Sequence, residues 1–588
     1  MPNCQNCKQN FEITEDDKAF YQKLEVPEPT WCPECRMIRR LLFRNERTWH
    51  RRTCDATGGS MLSMFREDSP FTVYNNEYWK SDKWDPLEYG KEYDFSKSFF
   101  EQFKKLFQKT PHPNLIQKNL INSEYANYTL NTKNCYFVAS TDTAEDCMYS
   151  FGAVLGAREC LDVHQSHKVE LCYEILDCTN SSKLRFSEAC TNCTDSWLLY
   201  DCINCSDCVG CVGLRNKSHY IFNEKLSKEE YKKRLSKLRL GTFSGVQNAQ
   251  QTFKKLKTKT PRKFAAILKS ENVLGDDITN SRNLYWCFNA RNDIENCRYG
   301  FRLHQGVKDG ADAFIVWNGA ELFYEAVSVT AQNVKYSAFI WGGFDVQYSY
   351  NCFDSNHIFG CVGLRSKEYC IFNKQYSKEE YEELVPKIIK QMKEKTYTDK
   401  KGRVYSYGEF FPTDLSPFAY NETLAQDYYP KTKEAAKSFG CAWQEPETKK
   451  YTITLPIDSI TDDIEDAKDS ITEQIIGCAH GGTCTEPCAT AFKILPQELT
   501  FYRRLGVPLP RLCPQCRHME RVRLKNPINL WHRKCQCAGE KSENEVYQNT
   551  STHSHHGVDH CPKEFETAYS PDRKEIIYCE KCYQAETS

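Results

Sequence analysis

Short apolar runs return along the middle of the chain at a fixed interval. CYFVAS, CMYSF, CYEIL and SWLLY are separated by Asn, Asp, Ser and Thr, residues that favour turns because their side chains hydrogen-bond nearby backbone. Cys135, Cys147, Cys160 and Cys172 recur at 12, 13 and 12 residues, and Cys178, Cys190 and Cys202 at 12. Short strands at even spacing fit a two-sheet sandwich, the second choice here. A fixed beat carrying like residues predicts instead a β-solenoid, in which each coil buries its side chains against the next. A later segment, with YWCF, FIVW, LFYEA, YSAFI and CIFN, keeps a similar beat with fewer cysteines. The two segments are copies: CVGLRNKSHYIFNEKLSKEEY begins at Cys211 and CVGLRSKEYCIFNKQYSKEEY at Cys361, 150 residues on. Each copy closes with Ser227 or Ser377 three residues before Glu230 or Glu380, a capping box that opens a helix.

A different duplication frames these bodies. Cys4 and Cys7 precede FYQKLEVPEP and the CPEC that supplies Cys32 and Cys35; Cys484 and Cys488 precede FYRRLGVPLP and the CPQC that supplies Cys513 and Cys516. Both copies run 25 positions from the second Cys to the third, and 19 from the fourth to a fifth, Cys54 or Cys535. Four thiolates gathered from two pairs make a closed tetrahedral cage that suits structural zinc and leaves no open position for chemistry. Pro33 and Pro514 sit at the first turn of a predicted helix, which gives a treble-clef-like module. The second copy departs from the first: its leading pair is C-x3-C, and Cys478 and His480 lie close enough to substitute. A third site is predicted from Cys561, Cys579 and Cys582, with the fourth ligand drawn from Cys535, Cys537, His553, His555, His556 or His560; Cys537 is the choice made. Setting Val73–Trp79 beside Ile577–Tyr583 replaces Cys579 by Asn75 and Cys582 by Tyr78, so the N-terminal counterpart is expected to be held by aromatic packing without a metal.

The CxxC, FYxxLxVPxP, CPxCR pattern resembles the zinc-ribbon or treble-clef domains of small bacterial proteins, and FETAYSPDRKEIIYCEKCYQAE resembles the second ribbon found beside them. As a whole the chain is similar to large, cysteine-rich zinc-ribbon proteins of candidate phyla radiation bacteria. That resemblance covers about a quarter of the chain with specific motifs. It implies zinc at the matched cysteines and carries no biochemical activity with it.

The expected architecture is therefore multidomain and β-rich: two tandem short β-solenoid-like bodies flanked by zinc-ribbon or treble-clef modules. The expected segments are an N-terminal zinc module with a metal-free second half (1–90), a linker helix (91–120), the first body with its closing helix (121–240) and a basic helical insert (241–271). The second body with its helix (272–395), a mixed linker (396–477) and a C-terminal double zinc module (478–588) complete the chain. Three structural zinc ions are expected.

Charge sharpens the functional choices. The formal net charge is -1, so affinity for nucleic acid must come from local patches. Arg36, Arg39, Arg40 and Arg44 follow CPEC, with Trp49 beyond them; Arg517, Arg521 and Arg523 follow CPQC, with Trp531 beyond. Planar groups beside phosphate-pairing charges suit RNA, single-stranded DNA or a ribonucleoprotein. The competing account is a solvated helix face bridged to the acidic linker. FKKLKTKTPRKF at 253–264 either extends the basic patch or is an exposed helix end. The expected function is a zinc-stabilised, non-enzymatic nucleic-acid-binding scaffold, with a protein–protein scaffold as the alternative and a carbohydrate-active solenoid enzyme third. The last rests on His164-Gln165 and His304-Gln305, with Asp162 beside the first pair and Arg302 in its apparent place beside the second. No catalytic set stands out. No stretch approaches the roughly 20 apolar residues of a membrane span, and the cysteine usage without a signal-like start fits a reduced cytoplasmic protein.

Overall fold

The computed structural model describes residues 1–445, 451–484 and 488–587. It is a mixed α/β protein with two large, mostly parallel sheets and cysteine clusters towards both ends. None of the 32 cysteines is in a disulfide, and among the described residues no helix is long and apolar enough to cross a membrane.

The first sheet has twelve strands between Gln117 and Lys225. Parallel neighbours pair twelve residues apart over most of its length, as in Ser182↔Thr194, Thr194↔Ser206 and Ser206↔Ser218. A bulge between Ala139 and Thr141 lengthens one step, which is why the cysteine beat contains a single 13. The strands are not flat. Asn131, Asn134, Phe137, Ser140, Thr143, Asp146 and Tyr149 all have φ between 49° and 57°, so the backbone bends at every third residue. The residue after each bend turns inward: Thr132, Cys135, Val138, Thr141, Ala144, Cys147 and Ser150 are buried. Left-handed backbone costs an ordinary residue roughly 1–2 kcal/mol, and Asn or Asp at many bends reduces that cost. Asn ladders tie bend to bend: Asn192 Nδ2 donates to Asn204 Oδ1 at 3.0 Å, and Asn204 Nδ2 to Asn216 Oδ1 at 2.9 Å.

Cysteine suits this interior because it is small, apolar and a weak donor. Cys135 Sγ reaches the carbonyl of Lys133 at 3.4 Å, and Cys205 and Cys211 reach those of Ile203 and Val209, each at 3.4 Å. Serine does the same with a stronger donor: Ser166 Oγ donates to His164 O at 3.0 Å and accepts Cys178 N–H at 3.1 Å.

The second sheet has eight strands between Ile267 and Gln375. Its steps vary from 13 residues (Glu295↔Lys308) through 11 (Glu321↔Gln332) to 12 (Asn356↔Glu368). Both sheets end in the same antiparallel turn and capped helix, Lys228–Leu238 and Lys378–Glu394.

The chain divides into two compact units built from separated segments. One holds Met1–Ile116, Ala265–Gln444 and Ile528–Leu530; the other holds Gln117–Phe264, Glu445–Pro527 and Trp531–Ser588. Each unit thus combines one cysteine module with the repeat body that is not adjacent to it in sequence. In the first unit helix Phe99–Lys109 lies on the second body, with Phe99 5.1 Å from Phe372 and 5.6 Å from Phe359 between ring centres. In the second unit helix Phe243–Lys259 packs Val246, Ala249 and Phe253 against Leu198, Val209 and Ile221. Both helices end at Lys-Thr-Pro, again 150 residues apart, and lead into a short parallel pair: Val73–Tyr74 with His112–Pro113, and Ile577–Tyr578 with Arg262–Lys263. The two units assemble the same parts in opposite order along the chain. The order is module, helix, body in the first, and body, helix, module in the second.

Candidate metal centres and the arginine locks

In the N-terminal module Cys4, Cys7, Cys32 and Cys35 bring their sulfurs within 4.8 Å of one another. An antiparallel bridge between Asn3 and Asn10 forms the knuckle that presents the first pair. Cys32 is the N-cap of helix Pro33–Leu41 and Cys35 sits in its first turn, where the helix dipole favours thiolate.

The C-terminal module gathers Cys478, Cys488, Cys513 and Cys516. Cys478, rather than the expected Cys484, completes this group; its sulfur accepts Cys513 N–H at 3.3 Å and lies 3.9 Å from Cys516 Sγ. The strand pair Ile476–Gly477 with Ala491–Phe492 takes the place of the N-terminal bridge. Cys484 lies in the longer connection between Cys478 and Cys488, its sulfur also 3.9 Å from Cys516 Sγ. A hydrogen bond from Cys478 draws the Cys513 thiol down to about 3, while Cys516, facing Cys478 and Cys513, is pushed far up. Four crowded thiols cannot all ionise unless a cation lies among them, and a closed, buried set of four sulfurs is what zinc requires.

The third group is Cys535, Cys561, Cys579 and Cys582, all buried. Cys535 is the fourth member in place of Cys537, because strand Trp531–Lys534, paired with Glu564–Thr567, delivers Cys535 directly into the site. Cys579 N–H donates to Cys535 Sγ at 3.2 Å. The N-terminal counterpart keeps that bond without the ligands: Asn75 N–H donates to Cys54 Sγ at 3.3 Å, and Asn75 Oδ1 caps the helix by accepting Tyr78 N–H at 2.8 Å. The arginine of each CVGLR motif holds the half-module. Arg215 Nη2 donates to Tyr583 OH at 3.3 Å, and Arg365 Nη1 to Trp79 O at 2.9 Å.

The arginines expected to face phosphate are turned inward instead. Arg36, Arg39, Arg40 and Arg44 are at most 1% exposed, and Arg517 and Arg521 are 3% exposed. Arg36 and Arg40, like Arg517 and Arg521, are four residues apart on one helix face, and Arg44 and Lys525, four residues further on, continue each row just past the helix end. That face meets acidic positions on successive strands. Arg36 Nε bonds Asp312 at 2.8 Å, Arg40 Nη1 bonds Glu325 at 2.8 Å and Asp312 at 3.1 Å, and Arg44 Nη1 donates to Ser328 Oγ. Arg39 bonds Glu325 and Glu409, each at 2.7 Å, above the Trp31 ring. In the other unit Arg517 Nε and Arg521 Nη2 hold Asp162 at 2.8 and 2.7 Å, Arg521 also holds Glu174, and Lys525 bonds Asp177 at 2.8 Å.

Each lock has the same further parts. Tyr299 donates to Asp17 at 3.0 Å beneath Arg36, and Tyr149 to Glu498 at 3.2 Å beneath Arg517. Arg36 and Arg517 each donate a second bond to the carbonyl just before the CPxC, Trp31 O or Leu512 O. Burial pushes the carboxyls of Glu174 and Glu498 up to about 7 despite the neighbouring guanidinium groups. Asp162 therefore corresponds to Asp312, not to Arg302, and is occupied by two arginines. Arg302 instead donates to Tyr428 OH and Glu46. His164 and His304 are buried, His164 edge-on against His518. Trp49 is half-buried with Nε1 donating to Glu46 O at 3.0 Å, and Trp531 lies half-buried in its strand. Arg523 is the exposed member of the expected set. The lock residues were missed, although i, i+4, i+8 cations in both copies and Tyr149/Tyr299 and Asp162/Asp312 at the known 150-residue offset were there to read. No protein-family model matches this chain, and no curated protein matches it.

Proposed function

We propose that this protein is a zinc-stabilised, non-enzymatic scaffold that binds the phosphate backbone of RNA or single-stranded DNA through its basic helix pair. Each repeat body is, on this reading, a short β-solenoid; the twelve-residue parallel register and the inward residue at every third position support that. Three zinc ions hold the modules that clamp the solenoids, supported by the three four-cysteine groups.

The observation that carries the binding role is the charge on helices Lys228–Leu238 and Phe243–Lys259. Residues 224–263 contain thirteen Lys or Arg against three Glu, and Lys232, Lys233, Lys237, Lys254, Lys255 and Lys259 are exposed. The duplicate helix is not basic: Glu382 and Glu383 stand where Lys232 and Lys233 do. The same scaffold thus carries opposite charge at equivalent surface positions, which a requirement of the fold does not explain. Lysines without base-reading neighbours support sequence-independent phosphate contact.

Filter binding of the full chain to mixed-sequence RNA and single-stranded DNA over a salt series tests this. Changing Lys232, Lys233, Lys254 and Lys255 to Gln should lower the log–log salt slope by up to about 3, at about 0.7 per released counterion. Absence of binding at low salt, with zinc retained, would transfer the case to a protein-interaction scaffold.

A further inference from the structure

A second donor set adjoins the Cys535 group. Cys537 Sγ lies 3.3 Å from His553 Nδ1 and 3.5 Å from His556 Nε2, those two nitrogens are 3.1 Å apart, and His556 Nε2 is 3.3 Å from Cys582 Sγ. All four donor atoms fall within 4.8 Å of one another, and Cys582 belongs to both sets. A tetrahedral zinc with sulfur at about 2.3 Å and nitrogen at about 2.05 Å sets ligand–ligand edges of about 3.3–3.8 Å. The four spacings, 3.1–3.5 Å, fall within about 0.3 Å of those edges.

The outer shell is in place as well. His553 Nε2 bonds Glu586 Oε1 at 2.8 Å, and His556 Nδ1 donates to Asp559 O at 2.8 Å. A hydrogen-bonded far nitrogen fixes the ring and aims the other lone pair at the cluster, as a metal-bound imidazole needs. Asn549 Nδ2 donates to Cys537 Sγ at 3.2 Å, and Tyr578 OH holds that amide by its oxygen at 2.8 Å. Charge favours the same arrangement. One zinc among four thiolates leaves about -2 in a closed site, whereas a second dication with one more thiolate and two neutral imidazoles leaves about -1.

We propose that the C-terminal tail holds two zinc-class divalent ions bridged by the Cys582 thiolate. One ion takes Cys535, Cys561, Cys579 and Cys582, and the other takes Cys582, Cys537, His553 and His556. Loading releases the protons of the five thiols and involves no redox step. The proposal rests on the metal reading of the Cys535 group. His555 Nε2 also approaches Cys582, at 3.3 Å, but the set of His555, His556, Cys561 and Cys582 shares three donors with the two sites and cannot fill beside them.

The test is metal content of the zinc-loaded, desalted full chain by native mass spectrometry. The wild type should carry four zincs, His555→Ala four, His556→Ala three and Cys582→Ser two. Three zincs in both the wild type and His556→Ala would overturn the second site. An unchanged count in Cys582→Ser would instead overturn the metal reading of the Cys535 group itself. Cobalt loading of the wild type gives a readout that needs no variant, because two Co(II) ions sharing a thiolate couple antiferromagnetically. Their magnetic moment per ion should fall below that of isolated tetrahedral cobalt, and a full moment on every ion would overturn the bridge.

Discussion

Replacing Asp162 by Asn should undock the helix that follows CPQC. Asp162 is fully buried, and its two oxygens accept Arg517 Nε at 2.8 Å and Arg521 Nη2 at 2.7 Å. With an effective dielectric of about 20, each contact corresponds to roughly 5 kcal/mol of Coulomb attraction. Desolvation offsets much of that, and orphaning one partner of a buried pair costs about 3–5 kcal/mol in practice. Here each guanidinium keeps a second acceptor, Arg517 the carbonyl of Leu512 and Arg521 the carboxylate of Glu174, so the lower end, about 3 kcal/mol, is expected. Amide hydrogen exchange of helix Pro514–Leu524, with metal kept saturating, reads local opening. It should accelerate about 100-fold, since every 1.4 kcal/mol is about tenfold. Glu159→Gln, which removes the partly exposed pair with Arg504, should change it by less than about 1 kcal/mol. Equal protection in Asp162→Asn and wild type would refute the lock.

Cys478→Ser should lose metal from the second framework while Cys484→Ser retains it, which metal analysis per chain can read. Burial lowers the His112 imidazole to about 4, below its ordinary 6.5. A depressed pKa means that stability is complete above pH 6.5 and falls as pH drops towards 4, by up to about 3 kcal/mol. Hydrogen exchange of helix Phe99–Lys109 over that window should show the loss, and His112→Phe should flatten it. In the first repeat body Cys160→Ser should be nearly neutral because serine already shares the interior positions, whereas Cys160→Leu should overpack it and cost about 1–3 kcal/mol; urea denaturation distinguishes the two.

The duplications and the cysteine frameworks were legible because spacing survives in sequence. A knuckle needs its two ligands near each other, and a helix needs its cap three residues from its partner. The bend at every third residue was less visible. Its interior positions accept Cys, Ser, Thr, Ala and Val alike, so the pattern is one of size rather than hydrophobicity, and only the twelve-residue column of cysteines stood out. Arg36 and Arg517 show the limit most plainly. A run of arginines looks the same whether its counter-charges are phosphates or carboxylates, and Asp312 lies 276 residues from Arg36. The choice of Cys537 over Cys535 had no footing in spacing for a similar reason: both neighbour the tail cluster, and one strand register decides which joins Cys561, Cys579 and Cys582.

The opposite order of parts in the two units bears on how the protein is made. The CPEC helix leaves the ribosome before the second body, and its partner Asp312 is 276 residues downstream. At about 5–20 residues per second, that helix waits roughly 15–60 s with its arginines in solvent. Metal captured by Cys4, Cys7, Cys32 and Cys35 in that interval would hold the nascent module in shape before the surface it fits exists. In the other unit the sequence of events is reversed: Asp162 is in place first, and Arg517 arrives 355 residues later. One half of the molecule is a key awaiting its socket during synthesis, and the other a socket awaiting its key.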